Sequence, residues 1–103
     1  MSKVLFLITT ESNLNFAQTI ARRVIEKKLA ACVSIKKISS FYNWEGKIEH
    51  CEEFEISIKS VPNKLNELID LLKDQISYKL PQFIYRTFDS EENYFNWVNQ
   101  SIN

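Results

Sequence analysis

Gly46 is the only glycine in the 103-residue chain. A Walker loop or a dinucleotide fingerprint needs several glycines to bring backbone amides against phosphate, so neither can be built here. The same scarcity leaves one obvious left-handed turn, and it sits inside the longest β-patterned stretch of the sequence. Before it, Ala31 to Tyr42 alternates with Ala31, Val33 and Ile35 on one face. The alternation then slips at Lys36 and Lys37 ahead of Ile38, Phe41 and Tyr42, which predicts a β-bulge near the two lysines. After the turn, Lys47 to Ser60 carries Ile48, Phe54, Ile56 and Ile58 on one face and Glu49, Cys51, Glu53, Glu55, Ser57 and Lys59 on the other. Two strands of about 12 and 14 residues span roughly 40 Å or more, whereas a helix of about 16 residues reaches only about 24 Å. The hairpin must overhang its own domain. That overhang carries Phe41, Tyr42 and Trp44, and a second copy of the chain is the expected cover.

The remaining elements fit around this hairpin. Val4 to Thr9 is an apolar and β-branched run, read as a central strand buried on both faces and ended by polar Thr10 to Asn13. Leu14, Ala17, Ile20, Ala21, Val24 and Ile25 recur at helical spacing within a helix from Leu14 to Leu29, capped by Ser12 or Asn13. Pro62 and Asn63 open a second helix built on Leu65, Leu68, Ile69, Leu72 and Ile76, which stops before Pro81. A short strand over Phe83 to Phe88 follows. A last helix, capped by Asp89 or Ser90, offers Tyr94, Trp97 and Val98 as its apolar face. The order is split βαβ with one extra C-terminal helix. It predicts a single domain over 1–103 with an α+β, ferredoxin-like sandwich, its helices on one sheet face.

Charge and rare residues narrow the function. Lys and Arg number 13, matching 13 Asp and Glu, so no long-range field draws the chain to nucleic acid or an anionic membrane. The apolar run Val4 to Ile8 is shorter than the roughly 7 to 15 residues of a signal-peptide core. No stretch approaches the roughly 20 residues of a membrane-spanning helix. With two cysteines expected to be reduced thiols, a cytoplasmic location is predicted. One histidine and two cysteines cannot assemble a zinc finger or a three-histidine zinc site within one chain.

The candidate site residues lie on the hairpin. Tyr42 and Trp44 read as interface anchors ahead of a ligand platform. Glu53 and Lys59 share a strand face, where they either line an intersubunit cleft for an anionic ligand or are solvated or paired with each other. His50 and Cys51 are the softest metal ligands available. Consecutive strand residues point to opposite faces, so His50 can combine with Glu52, and Cys51 with Glu49 or Glu53, giving weak binding unless another subunit completes the shell. By the same alternation, Glu52 and Glu53 cannot form a general acid and base pair. Cys32 reads as a small buried hydrophobe.

Several short motifs also match a known family. They are Thr9-Thr10, Leu29-Ala30-Ala31-Cys32-Val33, and Tyr42, Trp44, Gly46, Lys47 and Ile48 at the hairpin, followed by Glu53, Ile58-Lys59, Tyr78, Pro81, and Tyr94 with Trp97. Through them the chain resembles the CutA divalent-cation-tolerance proteins along nearly its whole length. The resemblance implies a cytoplasmic homotrimer of ferredoxin-like subunits, involved in tolerance of copper and other divalent metals and without catalytic activity. One segment departs from the pattern: where the family usually reads His-Pro-Tyr-Glu-x-Pro-Glu, this chain has Ile76 to Gln82, without the histidine and the two carboxylates. The alternative class is a small-molecule signalling or protein-interaction module like the nitrogen-regulatory PII proteins. An acylphosphatase-like enzyme is disfavoured because Thr9 to Asn15 has neither glycine nor arginine to cradle phosphate.

Overall fold

The structure is a computed structural model describing residues 2–103; Met1 lies outside the described residues. The elements are β1 (Lys3–Glu11), α1 (Leu14–Glu26), β2 (Cys32–Trp44), β3 (Lys47–Ser60), a 3-10 turn (Pro62–Lys64), α2 (Leu65–Gln75), β4 (Ile84–Asp89) and α3 (Glu92–Ile102). The strands form one four-stranded antiparallel sheet in the order β2-β3-β1-β4. This is the ferredoxin-like α+β arrangement predicted from the element order.

The core forms where strand alternation meets helical spacing. Leu5 and Leu7 of β1 and Ile56 and Ile58 of β3 pack against Ala17, Ile20 and Val24 of α1 and Leu68 and Leu72 of α2. Val4, one residue out of phase with Leu5, points to the other face, where it meets Val61, Val98 and Ile102. Helix α3 therefore covers the opposite face of the sheet at one end, correcting the expectation that all helices share one face. Its buried stripe is Val98 and Ile102 with Phe95 alongside, while Tyr94 and Trp97 are exposed. Beyond α3 that second face is open, so Phe6 and Ile8 are only half-buried and β1 is not covered on both sides.

Helix ends differ from their predicted positions for local reasons. Asn13 caps α1 by accepting the Phe16 N–H at 3.1 Å. The helix stops at Glu26 because Lys28 takes a left-handed φ of 57°. The Leu29 N–H then returns to the Val24 carbonyl and the Lys28 N–H to that of Ile25. This is a Schellman closure with lysine in the glycine position. Leu29, which continues the apolar pattern, is buried as the hydrophobic plug of that closure and not as a helical residue. At α3 the cap is Glu91, whose carboxylate accepts the Asn93 and Tyr94 N–H groups, in place of Asp89 or Ser90.

The predicted bulge is absent. Pairing runs without interruption from Cys32↔Lys59 to Trp44↔Lys47. The phase slip in the sequence marks the place where the hairpin leaves the helix layer, so helix-side positions no longer have to be apolar. Lys36 and Lys37 sit there paired with Glu55 and Glu52 at 3.7 and 3.4 Å. Pairing with β1 ends at Glu11↔Phe54, so 47–53 of β3 extend past it. The molecule measures 45 × 24 × 22 Å, with Phe41 69% and Ile48 82% exposed on the overhang. Its turn has positive φ at both Glu45 (52°) and Gly46 (79°), the two-residue geometry that matches strand twist. A Cβ on Gly46 would meet nothing within 4 Å, so the dihedral and not crowding calls for glycine.

The register keeps the thiols apart. Cys32 faces Lys59 and Cys51 faces Ser40, which lies more than about 20 Å along β2 from Cys32 at about 3.3 Å per residue. A bridge requires Cα atoms within roughly 7 Å. Two thiols are therefore expected to titrate per denatured, unreduced chain, and an intrachain Cys32–Cys51 cross-link in peptide mapping would refute this register.

Candidate functional site

Glu11 ends β1 in phase with Leu5, Leu7 and Thr9, so alternation turns its carboxylate toward the core side, where it is fully buried. Four donors converge on it. Oε1 accepts the Ser77 N–H at 2.8 Å; Oε2 accepts the Ser77 hydroxyl at 2.8 Å, the Asn13 N–H at 3.0 Å and the Ser12 hydroxyl at 3.2 Å. Burial raises the Glu11 carboxyl, but these hydrogen bonds, led by the Ser77 backbone, outweigh it and hold the group below the ordinary carboxylate range. The carboxylate thus fastens the segment after α2 to the end of β1.

That fastening aims the next residues. Tyr78 packs partly against the core, and its hydroxyl donates to Glu53 Oε1 at 2.8 Å. Burial and the adjacent Glu53 push the Tyr78 phenol well above its ordinary value, so it stays a donor. Gln82 Nε2 donates to Thr10 Oγ1 at 3.2 Å. Between this segment and the overhanging hairpin lies a cleft of about 620 Å³, whose hairpin wall includes Tyr42, Trp44, Glu49 and Glu53. By the pairing register these four share the sheet face opposite α1 and α2. Glu53 is 8% exposed, whereas Tyr42, Trp44 and Glu49 are exposed.

The other residues singled out from sequence are dispersed. Lys59 lies six positions along β3 from Glu53, roughly 20 Å at about 3.3 Å per residue, with its ammonium 6.0 Å from the Tyr94 ring centroid. The two do not pair. His50 and Cys51 point to opposite faces, and the His50 ring stacks on Phe41 with centroids 4.1 Å apart and planes within 5°. Among the described residues, no group of three or more His, Cys, Asp or Glu is placed to hold a metal ion. Cys32 is only half-buried, less so than its apolar neighbours implied. Sequence reasoning missed Glu11 and Ser77. The phase shared with Leu5 and Leu7 was the available signal for Glu11; Ser77 carried none.

Comparison with known proteins places this geometry. Residues 4–101 match the family of the CutA1 divalent ion tolerance protein. A divalent-cation tolerance protein CutA of Archaeoglobus fulgidus is 37% identical over 98 residues, which cover 94% of this chain and 96% of that one. One from Yersinia pestis (strain Pestoides F) is 30% identical over 103 residues, covering 98% and 87%. The structure of CutA from Synechococcus elongatus PCC7942 superimposes with a TM-score of 0.95 at 35% identity, covering all of this chain and 93% of that one. That of the periplasmic divalent cation tolerance protein CutA from A. fulgidus gives 0.93 at 36% identity, covering 97% and 99%.

The Glu11 arrangement yields a stability prediction. Because the folded-state pKa is depressed, its contribution is present above the unfolded carboxylate pKa and is lost as pH falls through the folded value. Glu11→Gln is expected to cost about 1–3 kcal/mol at neutral pH by denaturant unfolding. The cost should shrink on acidification below the ordinary carboxylate range. Equal stability of the two proteins at neutral pH would contradict it.

Proposed function

This chain belongs to the CutA1 divalent ion tolerance family, and from that premise we propose that it is a non-enzymatic homotrimer acting in tolerance of divalent metal ions, copper first. The observation that carries the assembly is the overhang. Residues 47–53 of β3 run past β1, and β2 is an edge strand, so an apolar tip and open strand edges stand outside the core. A neighbouring subunit is the cover that such edges require. Phe41, Tyr42, Trp44 and Ile48 are its anchors.

Metal binding in this reading is weak within one chain. His50 with Glu52 on one face, and Cys51 with Glu49 or Glu53 on the other, are partial ligand sets that another subunit would complete. Ile76 to Gln82 adds no histidine or carboxylate. The two free thiols favour the reducing cytoplasm, although the A. fulgidus relative is described as periplasmic. No helix of the described residues is long and apolar enough to cross a membrane. A second reading, a small-molecule module of the PII kind, draws on the cleft, but the two-residue turn at Glu45 and Gly46 leaves no long mobile loop.

Native mass spectrometry of protein purified without chelator is expected to report three chains, and Trp44→Ala to shift the population toward smaller species. A stable wild-type monomer at micromolar concentration would refute the assembly. In calorimetric titrations with copper, His50→Ala and Cys51→Ser are each expected to reduce binding, with Cys32→Ser close to wild type. Unchanged binding in the first two would remove the hairpin as the metal site.

A further inference from the structure

We propose that Ser77 and Tyr78 form a latch that takes over from β1 where the hairpin leaves the sheet, fixing the direction of the overhang and so presenting it to a neighbouring subunit. The presentation step rests on the homotrimer reading; the latch itself is a property of one chain.

The register locates the latch. Pairing of β3 with β1 ends at Glu11↔Phe54, so Glu53 is the first β3 residue beyond the reach of β1. From there the ladder with β2 continues alone, from Ile38↔Glu53 to Trp44↔Lys47. A two-stranded ribbon twists more than a wider sheet and is marginal in water without further support. Support arrives at the point of departure, where the Tyr78 hydroxyl donates to Glu53 Oε1 at 2.8 Å. Its neighbour Ser77 gives its N–H and its hydroxyl, both at 2.8 Å, to Glu11, the last residue of β1. Two consecutive residues thus bridge the end of β1 to the next position on β3.

The two ends of the bridge are unequal. Glu11 is fully buried and also holds donors from Ser12 and Asn13. Ile76 and Tyr78 pack with the core cluster on either side of Ser77, and Gln82 adds a tie to Thr10 at 3.2 Å. The inner end is therefore fixed to the body of the domain. The outer end is one hydrogen bond. Among the described residues, it is the one side-chain hydrogen bond that joins 47–53 to any residue outside the hairpin. The ion pairs Lys36–Glu55 and Lys37–Glu52 run between β2 and β3, so they hold the two strands together without setting their direction relative to the core. Opening of the latch is accordingly expected at Tyr78 and Glu53, with Ser77 still held by Glu11.

Hydrogen exchange of the full-length protein, read on peptides from 38–53 against peptides from 4–11 and 54–60, tests the latch. Tyr78→Phe keeps the ring that packs on the core and removes only the donor. Because the acceptor is charged, this loss is expected to raise exchange of the overhang about tenfold and to leave the core peptides unchanged. In a Glu53→Ala background, Tyr78→Phe should add no further exchange, since the acceptor is already gone. On dilution in native mass spectrometry, Tyr78→Phe trimers should dissociate at a concentration about tenfold above that of the wild type, because the overhang must be ordered again on assembly. Wild-type exchange in Tyr78→Phe, an equal rise in overhang and core, or a Tyr78→Phe effect that survives in Glu53→Ala would overturn the latch. Tyr78→Phe trimers as stable as the wild type would overturn its role in presentation. A monomeric wild type would refute the homotrimer reading and the presentation step with it, while the exchange comparison still decides the latch.

Discussion

The register of the β2–β3 hairpin is the constraint on which the rest depends. A two-residue turn with positive φ at Glu45 and Gly46 sets Trp44 opposite Lys47, and every later pair follows without insertion to Cys32 opposite Lys59. Side chains alternate with period two, so a slip of one residue on β3 would exchange its faces. Ile56 and Ile58 would leave the core, and Ser57 and Lys59 would enter it. The same register that buries Ile56 and Ile58 under α1 and α2 therefore puts Glu49, Glu53, Tyr42 and Trp44 on the opposite face. Core and cleft are two consequences of one turn.

The two halves of that hairpin differ in what holds them. Near Ser60 the ladder is sandwiched between strand neighbours and buried side chains, and Ser60 itself donates to the Leu29 carbonyl at 2.6 Å. Past Phe54 there is no β1 and no helix layer. The cross-strand pairs Lys36–Glu55 and Lys37–Glu52 have exposed lysines, and surface pairs of this kind contribute about 0–1 kcal/mol each. The Phe41–His50 stack adds a local aromatic contact. These interactions maintain register but bury little apolar surface, which is why the tip leaves Phe41 and Ile48 exposed.

What was legible in the sequence follows from which interactions are periodic. The apolar alternation of Ile56 and Ile58 and the helical spacing of Ile20 and Val24 revealed the strands, helices and topology, because burial against one face imposes a period. Features decided by single side chains were not legible. The lysines at 36 and 37 broke the pattern and suggested a bulge, although the backbone continues straight and only the helix cover ends there. Lys28 closes α1 in a conformation that usually announces itself by glycine. Helix α3 looked aromatic through Tyr94 and Trp97, yet its placement is decided by Val98 and Ile102 meeting Val4 across the sheet. The hairpin side of the cleft was visible as residue types. Its other wall was not, since the loop from Ser77 to Gln82 has no period.

That second wall is held by hydrogen bonds to a carboxylate, not by apolar packing alone. Ile76 and Tyr78 reach the core cluster, but between them Ser77 is bound through both its N–H and its hydroxyl to Glu11. Two donors on one residue fix its orientation as well as its position, and the Asn13 N–H ties the start of α1 to the same group. One buried carboxylate thus joins the end of β1, the entry to α1 and the exit from α2. Tyr78, the next residue, inherits that placement and carries it to Glu53. The segment from Ile76 to Gln82 has no histidine or carboxylate of its own and is anchored from the strand side, through Glu11. Two carboxylates therefore divide the work: Glu11, saturated with donors, holds the wall to the end of β1, and Glu53, through the Tyr78 hydroxyl, ties the same segment to the hairpin.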